Sequence, residues 1–155
     1  MSGRIDKLLA EKGIDLPAAP APAANYVPYV QSGNLLFVSG QISQGPEGLI
    51  KGRVGEELSL AEGAAAARRC GLALLAQARA ACGGDLDRVL RVVKLVGFVN
   101  SAPGFCDQPE VVNGCSDLMV EVFGEAGRHA RAAVSAVALP RGVAVEIDAV
   151  FEVAL

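Results

Sequence analysis

The stretch HARAAVSAVALPRGVAVEIDAVFEV, residues 129–153, places two runs rich in Val and Ala on either side of Leu139-Pro140-Arg141-Gly142. Small and β-branched residues bounded by a Pro-Arg-Gly turn read as two strands at the centre of a core. Yet Arg131 opens the first run, and Glu146 and Asp148 sit inside the second. If the turn closes a hairpin with Leu139 opposite Gly142, Ser135 falls opposite Glu146, and Arg131, Ala133 and Ser135 share a face with Glu146 and Asp148. Arg131 then lies four residues from that pair, roughly 13 Å along the strand. Such spacing does not build an in-register ion pair. It suits two long side chains closing on a small ligand from the ends of a cavity, with an ion pair that holds sheet or subunits together as the alternative.

Working outward, RVLRVVKLVGFVN at 88–100 predicts a strand, and Gln108-Pro109 opens a helix that runs to about Phe123, with Gly124 and Gly127 beyond it. Ser59 and Glu62 form a capping-box pattern, and Leu60, Ala64, Ala67, Gly71, Leu74 and Ala78 keep helical spacing up to Gly83-Gly84. Upstream, VPYVQSGNLLFVSGQ at 27–41 predicts a hairpin around Ser32-Gly33-Asn34, followed by a glycine-rich excursion over 45–55. Residues 1–25 form a separate lead: a short helix over 1–13 with Ile5, Leu8 and Leu9 on one face, then DLPAAPAPAAN at 15–25, whose prolines impose an extended connector. The element order is β-β-α-β-α-β-β after an N-terminal helix. That order predicts an α+β fold, a mixed sheet with two helices on one face and the other face left to be closed by further copies of the chain.

Composition sets the outer bounds. The chain has 155 residues, 52% of them hydrophobic and 20% charged, with a net charge of −3, which is globular rather than disordered. Charges, Gly or Pro interrupt every apolar run before it reaches membrane-spanning length, and the charged N-terminus is unlike a secretory signal. Cys70, Cys82, Cys106 and Cys115 lie far apart, and His129 is the one histidine, so neither a zinc site nor a disulfide framework is expected. Reduced, mostly buried cysteines in a cytoplasmic protein are the expectation. Two Tyr, no Trp and no basic stripe argue against a nucleic-acid partner. The 45–55 loop lacks the phosphate-cradling pattern, and His129 reads as a structural or interface residue.

Three segments together, VPYVQSGNLLFVSGQ, the VVNG at 111–114 and the quoted tail, resemble the RidA/YjgF family of reactive-intermediate deaminases, also known as the L-PSP endoribonuclease family. The resemblance runs from about Tyr26 to the C-terminus, making 26–155 the RidA-like domain, and the Pro-rich lead and long 100–114 connection resemble a divergent branch with an N-terminal extension. It implies a homotrimer with a chorismate-mutase-like fold, its sheets closing a central barrel and its sites lying between neighbouring subunits. Arg131 matches the family's carboxylate-clamping arginine, and Glu146 the glutamate that serves the attacking water. Tyr29, Ser39, Gly40 and Asn113 match other substrate-binding positions. Ala132-Ala133 replaces a common Ser-Cys, and Ala133 would contribute backbone contacts. The implied activity is hydrolysis of 2-imino or enamine acids to 2-keto acids and ammonia, without metal or organic cofactor. A non-catalytic protein that binds small carboxylates, and an endoribonuclease, are the other readings.

Overall fold

A computed structural model describes residues 3–155. The first two residues of the expected N-terminal helix lie outside the described residues. In chain order the elements are α1 (Arg4–Glu11), β1 (Tyr29–Ser32), β2 (Leu35–Ile42), β3 (Gln44–Gly45), β4 (Gly48–Leu49), α2 (Leu60–Ala81), β5 (Val89–Asn100), α3 (Gln108–Phe123), β6 (Ala130–Ala136) and β7 (Val145–Val153). The expected order is present, with a two-rung hairpin, β3–β4, inside the glycine-rich excursion. Ser59 caps α2 as its sequence predicts: its hydroxyl accepts from the Glu62 N–H at 3.1 Å, and the Glu62 carboxylate accepts from the Ser59 N–H at 3.1 Å.

The main sheet has the order β1-β2-β7-β5-β6. β1 and β2 form the predicted hairpin, turning at Gly33, whose φ of 62° suits a residue without Cβ. β7 pairs antiparallel with both β2 and β5, while β6 pairs parallel with β5 from the other side. The hairpin expected for residues 129–153 is therefore absent, and β5 separates its two strands. The local turn does form, closed by the Gly142 N–H on the Leu139 carbonyl at 3.0 Å, with Arg141 at a φ of 59°. What the turn joins differs, because β5–α3–β6 is a crossover unit that sets β6 parallel to β5. β7 then takes the central place its alternating burial demands.

Helix α2 covers β2 and β7, and α3 covers β5 and β6, all on one face. The two helices cross closely through small residues. A Cβ at Gly114 would fall onto the Ala64 carbonyl, and α3 also lies close on β5, where a Cβ at Gly97 would meet Val112 Cγ2 at 2.7 Å. On the opposite face, among the described residues, no element lies over Val30, Phe37 and Val134, which are 52%, 45% and 46% exposed, or over the half-buried Ile42, Val96, Phe98 and Val150. Helix α1 is tied to the domain by the Asp87 carboxylate, which accepts from the Arg4 and Ile5 N–H groups at 2.8 Å each. Ile5, Leu9 and Ile14 are buried in the core, and Leu8 is half-buried.

The close crossing generates a stability prediction. Gly114→Ala has no room for its methyl, so α2 and α3 must part or bend. We expect a loss of about 3 kcal/mol, the upper end of the cost of overpacking, read as a fall in the urea midpoint with an unchanged slope.

Candidate functional site

Arg131 lies on β6, an edge strand, in a row that runs Tyr29–Val38–Ala149–Leu95–Arg131 across the sheet. Leu95 and Ala149 are buried beneath the helices, so Arg131 stands on the helix-covered face at its rim. Three acceptors on α3 hold it: Nη1 donates to Asn113 Oδ1 at 2.8 Å and to Ser116 Oγ at 3.1 Å, and Nη2 donates to the Pro109 carbonyl at 3.2 Å. Asn113 and Ser116 are three residues apart and so share one helix face. A guanidinium carries five N–H donors. Nε–H and one Nη2–H have no partner among the described residues, and Nε and Nη2 form the side-on edge that receives a carboxylate through two parallel bonds. The ion pairs among the described residues are Arg68–Glu121 at 3.1 Å and Arg128–Glu125 at 3.2 Å, and neither includes Arg131 or Glu146.

Glu146 belongs to the row Ile42–Glu146–Phe98–Val134, on the open face. Between Val38 and Gln41 the register of β2 slips in a bulge that contains Ser39 and Gly40. The Glu146 side chain lies over Gly40: a Cβ there would sit 2.6 Å from Glu146 Oε1. Ser39 is anchored through its hydroxyl, which donates to the Val27 carbonyl at 2.7 Å. β1 stops short of this part of β2, and the Ala/Pro connector runs past the gap, held by Gln77 Nε2, which donates to the Pro20 carbonyl at 2.7 Å. The result is a cavity of about 1260 Å³ lined by Ser39, Gly40, Glu146, Asp148, Arg141 and the connector. Burial, and then the neighbouring Asp148 carboxylate, raise the Glu146 carboxyl above its ordinary 4.5. Burial likewise raises Asp148, against the opposing pull of Lys94.

The seven site residues expected from the sequence thus divide into groups. Arg131 and Asn113 meet directly, with Ala133 two residues along the same face of β6, paired with Gly97. Ser39, Gly40 and Glu146 meet at the β2 edge. Tyr29 joins neither group, since it occupies the far end of the Arg131 row, four strand spacings or about 19 Å away. The expectation that Arg131, Ala133 and Ser135 share a face with Glu146 and Asp148 is corrected, because with β5 between β6 and β7 they fall on opposite faces of the sheet. Ser135 pairs with Val99, not Glu146, and its hydroxyl lies 2.7 Å from Ser101 Oγ.

Some residues carry more than the sequence suggested. Ser116 carries no motif of its own, although its spacing from Asn113 puts it on the same helix face. Asn100 is buried, and its Oδ1 has no hydrogen-bond partner among the described residues. Cys115 is buried as expected, and burial pushes its thiol up to about 12, which leaves it protonated and inert beside the Arg131 network. Among the described residues no cluster could hold a metal ion, and no helix is long and apolar enough to cross a membrane.

The Glu146 environment has a pH signature. A raised folded-state value means the folded chain holds this proton more tightly than the unfolded chain. Stability is then greatest below the unfolded value and falls as pH rises through the folded one. Glu146→Gln should raise the thermal midpoint at pH 7, and the gain should vanish below about pH 4.5, the ordinary value of the group. Paired melts at the two pH values read it.

Residues 6–148 match the family model described as "YjgF/chorismate_mutase-like, putative endoribonuclease". Protein TCP17 of Trypanosoma cruzi is 55% identical over 153 residues, covering 97% of this chain and 95% of that protein. The crystal structure of Atu1372 from Agrobacterium tumefaciens, a protein of unknown function, is 47% identical with a TM-score of 0.89, covering 97% of this chain and 92% of that one. RidA from an Antarctic Psychrobacter is 30% identical with a TM-score of 0.58, covering 87% of this chain and 94% of its own. A match over 97% of the chain has to include most of the N-terminal extension, so Atu1372 shares it. With a family model matched over most of its length and a fold common to these relatives, the chain belongs to the YjgF/RidA family.

Proposed function

We propose that the chain hydrolyses 2-imino acids to 2-keto acids and ammonia, at sites completed between copies of a homotrimer. The observation that carries this reading is the Arg131 guanidinium: a permanently charged fork, fixed by three acceptors, with Nε–H and one Nη2–H unengaged and no carboxylate paired to it among the described residues. A small acid is the chemistry that fork fits. Glu146 supplies the other requirement, a carboxyl in a cavity whose burial raises its affinity for a proton, able to take a proton from water and return one to nitrogen. Water adds to the C=N carbon as Glu146 takes one of its protons and gives it to nitrogen; in the resulting amino alcohol Glu146 takes the hydroxyl proton as the C=O bond forms and the C–N bond breaks, and passes it to the departing ammonia.

The two halves lie on opposite faces and toward opposite edges of one sheet, so a single chain does not close the site. A head-to-tail contact would bring the β6 rim of one copy to the β2 edge of the next, and three such contacts closing as a ring would also cover Val30, Phe37 and Val134. Membership of the YjgF/RidA family, which includes a relative named RidA, supports this reading, and the endoribonuclease description of the family supports a second one. A net charge of −3 and two Tyr without Trp weigh against the latter.

The test generates 2-iminobutanoate in situ, traps it with semicarbazide and follows keto-acid formation. Arg131→Ala should weaken 2-ketobutanoate binding at least tens of times, as expected for loss of a bidentate charged contact, and Arg131→Lys should restore only part. Glu146→Gln should spare binding but slow turnover. Gly40→Ala, whose methyl displaces the Glu146 carboxylate, should mimic Glu146→Gln in turnover without unfolding. An Arg131→Ala protein that hydrolyses the imine at the parent rate would sink the proposal. Keto-acid binding without turnover would leave a carboxylate-binding protein, and RNA cleavage lost in the same variants would favour the endoribonuclease.

A further inference from the structure

His129, two residues before Arg131, faces Ser116 and the backbone of its own turn. Its Nδ1 lies 2.6 Å from the Gly127 carbonyl, and its Nε2 lies 2.8 Å from Ser116 Oγ. A carbonyl oxygen only accepts, so Nδ1 must carry the proton. In the neutral ring Nε2 is then an acceptor, and the one hydrogen of the Ser116 hydroxyl must point to it. This leaves the Ser116 lone pairs turned toward Arg131, whose Nη1–H they receive at 3.1 Å. Each link fixes the direction of the next: Gly127 carbonyl, His129, Ser116, Arg131.

We propose that His129 and Ser116 are positioning residues for Arg131, a relay that orients one hydroxyl so that the guanidinium presents its Nε/Nη2 edge to an incoming carboxylate. Without the histidine the hydroxyl can turn its hydrogen toward Nη1, where donor meets donor and the guanidinium loses one of its three anchors. Asn113 holds the same Nη1, and the Pro109 carbonyl holds Nη2. The role of the edge rests on the reading of Arg131 as a carboxylate clamp, but the relay itself is a property of the folded chain and is measurable without any ligand.

The experiment uses the full chain labelled with nitrogen-15 at His and Arg. At pH 8 the spectrum should show His129 with its proton on Nδ1, the minor tautomer of free histidine, and separately resolved Arg131 Nη1 protons from restricted rotation. His129→Ala and Ser116→Ala should merge those Arg131 signals, and His129→Gln, which returns an acceptor near the Nε2 position, should restore them. In the imine assay the two alanine variants should raise KM about tenfold, the worth of one hydrogen bond to a charged group, with kcat within about twofold. A proton on Nε2 of His129, or Arg131 signals unchanged in His129→Ala, would overturn the proposal. If the parent binds no keto acid and hydrolyses no imine, the clamp reading fails, and the spectra still decide the relay.

Discussion

Strand β7 lies between β2 and β5, and β6 pairs with the far side of β5. The functional geometry depends on the parity this imposes. Side chains directly across a ladder point the same way and neighbours along a strand point oppositely, so the rows Leu95–Arg131 and Phe98–Glu146 are fixed on opposite faces. A slip of one residue in either ladder would exchange the faces. Core packing forbids that slip, because it would turn Leu95, Ile147 and Phe151 out of the interior and put charge in their place. The same burial that stabilises the sheet thus separates the arginine from the glutamate within one chain.

That separation gives the apolar open face a role. Val30, Phe37 and Val134 are costly to leave in water, and a head-to-tail ring that buries them would also bring the β6 rim to the β2 edge. On this account assembly and site formation are one event. The carboxyls carry the opposing cost: Glu146 and Asp148 are held above their ordinary values by burial, so their ionisation near neutral pH works against the fold. A buried carboxyl of this kind is one the fold would be more stable without. The N-terminal extension contributes at the same edge, since its Ala/Pro connector, pinned by Gln77, forms one side of the cavity that Glu146 enters.

Much of this was legible in the sequence, and what was not has a definite cause. The capping box at Ser59, the Gly33 turn, the Gln108-Pro109 start of α3 and the alternation in β7 are local signals, and each appears where its residues place it. The pairing of β6 is not local. A Pro-Arg-Gly turn between two apolar runs looks the same whether the runs pair with each other or flank a third strand, and only the crossover through α3 decides. Arg131 and Glu146 were identifiable as residues, but their faces follow from that pairing. Asn113 was found by its resemblance to a family position, whereas Ser116 and the bonds of His129 come from contacts between α3 and the β6 rim. Spacing gave a weak signal for the first and none for the second.

The claim that one site draws Arg131 and Glu146 from different copies is tested most directly by mixing two inactive variants. Arg131→Ala and Glu146→Gln proteins, unfolded together in equal amounts and refolded, would form mixed rings. In a head-to-tail ring about a quarter of the interfaces would pair an intact Arg131 with an intact Glu146. The account predicts recovery of about that share of parent imine hydrolysis, where each variant refolded alone stays inactive. A mixture that shows subunit exchange yet remains as inactive as its components would place both residues in a site within one chain and contradict it.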